Sequence, residues 1–249
     1  MTHPLLRAAR KIPGVRDLVG HAMDAMAPEM DATGACIVTI STDSPPTMAS
    51  LRRGLVAMES AGVRGAGHLQ LLSGEVWPTV EPTVVVTLQR PTNELVEATA
   101  SMLSELGWSG LVFVAADSPL LQRFSDWMGA GLVPGLLWNS PGKGVLVEEL
   151  NHDLKAVGDA VGYTPRFVSF PAHVEPEWAG RTAFDCGVVG IGMGRGVAGP
   201  RFTNSLQPRI MWARDTNQTE LVAWTCRDKE ALAGFELGRF MGHVLPGGR

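Results

Sequence analysis

Short apolar runs recur along the chain, and most are followed by a stretch whose apolar positions fall three and four residues apart. The runs ACIVTIS (35–41), TVVVTL (83–88), GLVFVAA (110–116), LVPGLLW (132–138), RFVSF (166–170), CGVVGIG (186–192) and PRIMWA (208–213) read as strands. Each is rich in β-branched or large apolar residues and is bounded by turn formers. The unbroken apolar character of 83–88 is that of a strand covered on both faces, as in parallel sheets. Residues 47–61 read as a helix with Leu51, Leu55, Val56 and Met58 roughly on one side. Residues 92–106 read as another, carrying Leu95, Val96, Thr99, Met102, Leu103 and Leu106 at helical spacing, with Gly107 placed as its C-cap. Asp117 or Ser118 caps a further helix with Pro119 in its first turn. Helices are also predicted over 145–162, from Pro176 to about 184, over 217–226 and over 228–243.

Repeated strand–helix alternation implies a parallel sheet, and in a chain of 249 residues it favours a (β/α) barrel, here a distorted one with about seven strands. An open doubly wound sheet is the second choice. The glycine-rich GIGMGRGVAG (190–199) comes too late in the chain and leads to no clear helix, so it reads as a long barrel loop and not as a phosphate loop. Residues 5–29 read as an amphipathic helix interrupted near Pro13. The expected organisation is an N-terminal helical extension over 1–33, the barrel over 34–227 and a C-terminal helix over 228–249.

Composition narrows the function classes. The chain is 45% hydrophobic and 18% charged, with a net charge of −4. That suits a folded α/β protein and excludes a disordered one. Lys and Arg are scattered, so no nucleic-acid surface is indicated. No apolar run reaches the ~18 residues of a membrane span, and the N-terminus lacks the apolar core of a secretory signal. A cytoplasmic location is expected. Cys36, Cys186 and Cys226 lie far apart without a CxxC, which is read as three buried thiols in a reducing compartment. The six histidines show no HxH or HxxxH pair. His152 reads as a surface residue, and His173, at the end of a predicted strand, is kept as a site candidate. There is no GxSxG nucleophile motif; Ser140, Ser169 and Cys186 are the nucleophile candidates, with Cys186 read as structural.

The order of elements over roughly 34–225 resembles the polysaccharide deacetylases, the NodB-homology or carbohydrate esterase 4 group, in the subgroup with an N-terminal extension. The stretch from MASLRRGLVAMES through LVFVAAD is similar to that subgroup's front half. LKAVGDAVGYTPRFVSFPAH is similar to the approach to its arginine-proline motif, and SLQPRIMW resembles a late LPRI-type strand. The motifs themselves are replaced. Where the family has TFDDG, this chain has Thr87, Leu88, Gln89, Arg90 and Pro91. The position of the catalytic base is then Gln89 and that of a metal-binding aspartate Arg90. Where the family has HSxxH, this chain has Asn139, Ser140, Pro141, Gly142 and Lys143, so both metal-binding histidines are gone. RPPYG becomes Ser169, Phe170, Pro171, Ala172 and His173.

A site of the family's type needs one carboxylate and two neutral imidazoles. Glutamine, arginine, asparagine and lysine do not supply them, and without a metal a water keeps its high pKa. Metal-dependent deacetylation is therefore not expected, and no cofactor is. The resemblance instead gathers Gln89, Arg90, Asn139, Ser140, Lys143 and His173 at the C-terminal mouth of a barrel, with Arg90 and Lys143 in place of the metal's positive charge. Trp138, directly before Asn139, is the best candidate among seven tryptophans for stacking on a sugar. The expectation is a non-hydrolytic pseudoenzyme that binds an anionic or carbohydrate-like small molecule, or a protein partner. The alternative is a divergent metal-independent enzyme acting on a sugar, amide or specialised metabolite in the same pocket. In the bland reading Arg90 merely pairs with Glu94 or Asp117.

Overall fold

The computed structural model describes residues 34–139, 146–170, 178–192, 198–199 and 206–227. The elements run β1 (Ala35–Ile40), α1 (Met48–Ser60), β2 (Arg64–Gly65), α2 (His68–Ser73), β3 (Thr83–Gln89), α3 (Asn93–Glu105), β4 (Gly110–Val114), a 3-10 turn (Pro119–Arg123), α4 (Phe124–Gly129) and β5 (Leu132–Leu137). They continue with α5 (Leu146–Val161), β6 (Phe167–Ser169), α6 (Ala179–Asp185), β7 (Val189–Ile191), β8 (Arg209–Trp212) and α7 (Gln218–Thr225). The strands form one curled sheet in the order β7-β6-β5-β4-β3-β1-β8, with β2 beside β3. Every ladder is parallel. The two ends of the curl meet at one parallel bridge, Ile191 to Gln207. This is the expected (β/α) barrel.

All seven predicted strands are present. The run CGVVGIG yields only Val189–Ile191, because Cys186 ends α6 and Gly187 turns the chain at φ 68°. Thr47, Thr92 and Asn217 cap their helices, each accepting from backbone N–H groups in the first turn. Ser118, not Asp117, caps the segment that begins with Pro119, and that segment starts as a 3-10 turn. Within the glycine-rich run, Gly190 lies in β7 and Ala198 bridges back to Ala35. The predicted helices 5–29 and 228–243, and Pro176, lie outside the described residues.

Alternation along the strands divides the core in two. Even-numbered residues such as Val38, Val86, Leu88, Val112 and Leu136 face outward and pack against α1, α3, α4, α5, α6 and α7. Odd-numbered residues such as Ile37, Val85, Leu111, Phe113, Val133, Phe167 and Ile191 fill the barrel, with Leu71 of α2 among them. Two glycines make room for rings. A Cβ on Gly135 would lie 2.4 Å from Phe113 inside the barrel, and one on Gly54 of α1 would lie 2.4 Å from Trp212. Cys36 is fully buried in the outer layer, and burial pushes its thiol up to about 12. Cys186 and Cys226 are only half-buried, which corrects the expectation of three buried thiols: both follow the last turn of a short helix, where only one side is covered.

Candidate functional site at the strand ends

The barrel interior turns from apolar to polar toward the C-terminal ends of its strands. Thr39 of β1 and Thr87 of β3, register partners, share a hydrogen bond of 2.7 Å and are fully buried. Neither threonine is left unpaired in a dry interior, where a lone hydroxyl is costly. One residue pair higher stands Gln89. Its Nε2 donates to the Phe170 carbonyl at 3.0 Å and to Ser169 Oγ at 3.3 Å, spanning from β3 to the end of β6.

The same two acceptors receive a second side chain. Arg209 of β8 donates from Nη1 to Ser169 Oγ at 2.7 Å and from Nη2 to the Phe170 carbonyl at 3.1 Å. Arg209 is 1% exposed. Two donors on shared acceptors place its guanidinium and the Gln89 amide within about 6 Å of each other. A guanidinium keeps its charge at every relevant pH, so the barrel carries a permanent interior cation beneath the mouth. Sequence reasoning missed Arg209. The signal was an arginine in the otherwise apolar strand PRIMWA, at an inward-facing position.

Arg90 follows directly. It is exposed and adopts φ 50°, a conformation that costs a non-glycine residue about 1–2 kcal/mol. Its N–H extends the β3–β4 ladder to the Phe113 carbonyl at 3.2 Å. Among the described residues no ion pair includes Arg90, so neither Glu94 nor Asp117 neutralises it. Asn139 stands exposed two residues beyond the end of β5. In sheet order β5 is separated from β3 by β4 alone, so Gln89, Arg90 and Asn139 share one edge of the barrel. Ser140, Lys143 and His173 lie outside the described residues.

Trp138 is not at the mouth. It is 2% exposed and packs edge-on against Phe170 and Trp178, with ring centres 5.9 and 5.7 Å away. As an even-numbered residue it points outward under α5 and α6, which leaves no ring face for a sugar. Trp108, Trp127 and Trp212 are likewise buried. His152 is exposed, 3.3 Å from Asp153.

The described donor set does not fit the metal centre of the resembled family. Gln89 points its amide nitrogen at two acceptors, Arg90 is a cation, and Arg209 sets a second cation behind them. Among the described residues at this end of the strands, these side chains offer a dication no carboxylate or imidazole ligand. Among the described residues no group of three or more His, Cys, Asp or Glu side chains is gathered to hold a metal ion. A groove of about 520 Å³ lies elsewhere, on the outer surface between α3 and α4, lined by Glu97, Ser101, Arg123 and Trp127 among others.

The fold is that of the polysaccharide deacetylases. IcaB from Ammonifex degensii superposes with a TM-score of 0.63 at 15% identity, over 80% of this chain and 100% of that one. The deacetylase PplD of Streptococcus pyogenes, in complex with acetate, gives 0.61 at 12% identity, over 77% and 97% of the two chains. BC0361, a polysaccharide deacetylase from Bacillus cereus, gives 0.62 at 8% identity, over 77% and 69%. No protein-family profile and no curated protein matches the sequence. Among the described residues no helix is long and apolar enough to cross a membrane.

Proposed function

We propose that this polysaccharide-deacetylase-like barrel is a non-hydrolytic binding protein whose mouth takes an anionic, carbohydrate-like ligand. The observation that carries this reading is Arg90. It is an exposed cation without a carboxylate partner among the described residues, held in a strained backbone conformation at the C-terminal end of β3. Strain of this kind gathers at ligand-binding positions. Barrel proteins build their sites at this end of the strands. A planar guanidinium suits a carboxylate or phosphate, and Lys143 adds a point charge in this reading. Gln89 stands where the resembled family's base would stand, and a carboxamide takes up no proton at neutral pH.

The test is a calorimetric titration with glucuronate of the native chain and of the paired variant Arg90→Glu, Lys143→Glu. Loss of charge-assisted bonds is expected to weaken binding at least about tenfold. Unchanged affinity removes the reading. A parallel zinc titration is expected to show no stoichiometric heat. Sub-micromolar zinc binding would return hydrolysis to first place.

A further inference from the structure

The hydrogen bonds around Gln89 decide which end of its amide meets a ligand. Its Nε2 lies 3.0 Å from the Phe170 carbonyl, which accepts and never donates. Turning the amide over would set two oxygens against each other at that distance, so the nitrogen belongs there. The second Nε2 hydrogen goes to Ser169 Oγ. Both amide hydrogens are therefore spent inside the barrel. Arg209 reinforces this, because its two donations to the same oxygens hold the end of β6 in place. Gln89 Oε1 is left over. No hydrogen bond to it is made among the described residues, and Gln89 is only half-buried. It sits directly before the cation Arg90.

We infer that Gln89 Oε1 is a specificity-determining acceptor: the mouth selects an anion that also carries an O–H or N–H donor, and Arg209 is the positioning residue that fixes the acceptor's direction. This rests on the anionic reading above and adds to it. A sugar acid with free hydroxyls meets both demands, whereas the same acid with its hydroxyls blocked meets only the first.

The probes are glucuronate and its fully O-methylated ether, titrated in parallel. The native chain is expected to bind glucuronate about fivefold more tightly, the worth of one ordinary hydrogen bond. Gln89→Leu leaves Ser169 Oγ and the Phe170 carbonyl their bonds from Arg209, and is expected to bring the ratio to about one. Arg90→Ala is expected to weaken both probes alike and keep the ratio. Arg209→Lys is expected to lower the ratio, an effect that mere loss of stability does not produce. If that variant does not fold, Gln89→Leu decides. Equal affinity in the native chain, or a preference that survives Gln89→Leu, overturns the inference while the anionic reading stands. Binding of neither probe overturns both.

Discussion

The ends of β3 and β6 show two solutions to the same problem on opposite faces of one sheet. On the outer face Leu88, Trp138 and Phe170 are closed off by helices, and Trp138, Phe170 and Trp178 pack edge-to-face at 5.7–6.3 Å. On the inner face Gln89, Ser169 and Arg209 are closed by hydrogen bonds. Consecutive residues, Leu88 with Gln89 and Ser169 with Phe170, serve the two sides. The outer face is held by contact area, which depends on volume. The inner face is held by matched donors and acceptors, which depends on identity. At these strand ends the polar groups lie on the inner face.

Substitutions can separate the two. Trp138→Ala is expected to cost about 4 kcal/mol in urea unfolding, because it empties a packed aromatic cluster. A loss under 1 kcal/mol would mean the cluster is not part of the core. Arg209→Met is expected to cost about 3 kcal/mol, the worth of charge-assisted bonds, with Gln89 still serving both acceptors. Stability equal to the native chain would show that Arg209 is dispensable. Thr39→Val strands the buried Thr87 hydroxyl and is expected to cost about 2 kcal/mol. Adding Thr87→Val should recover part of that loss; simple addition of the two penalties would disprove the pairing.

Cys36 reports on the dryness of the outer face through pH. An unfolded thiol ionises near ~8.5, while burial holds the folded one up to about 12. The folded chain therefore keeps a proton that the unfolded chain gives up. Its stability contribution is intact below about pH 8.5 and falls as pH rises toward 12, by roughly 1 kcal/mol in the first unit. Cys36→Ala should flatten that part of the alkaline decline, and an unaltered slope would contradict it. The smallest effect expected is a gain. Arg90→Gly removes left-handed strain and should raise stability by about 1 kcal/mol while weakening glucuronate. A gain without loss of binding would detach the strain from the site.

Much of the fold was legible because its signals are local. Runs such as TVVVTL are apolar on both faces, and Thr92 and Asn217 announce helix starts within a turn. The two-residue β2 and the six-residue α2 were missed, since neither is long enough to show a period. The site was legible only in part. Gln89, Arg90 and Asn139 fall at strand ends, which follow from the strand pattern. Trp138 was assigned to the mouth by its place beside Asn139, but alternation puts these neighbours on opposite faces. Arg209 is distant in sequence from Ser169, and only the curl of the sheet joins them. Lys143, Ser140 and His173 remain proposals within the mouth.

The meeting point of the curl is made chiefly by Gln207. Its backbone bonds to Gly190 and Gly192, and its side-chain amide bonds in both directions to the backbone of Gly199, as a neighbouring peptide would. In mechanical terms the ring is fastened by a clasp rather than a weld. Main-chain ladders elsewhere share a load among several rungs, whereas among the described residues the bridge between β7 and the approach to β8 runs through one glutamine. Deuterium uptake should accordingly begin at Gly192 and Gln207, well before the central strands give up a proton.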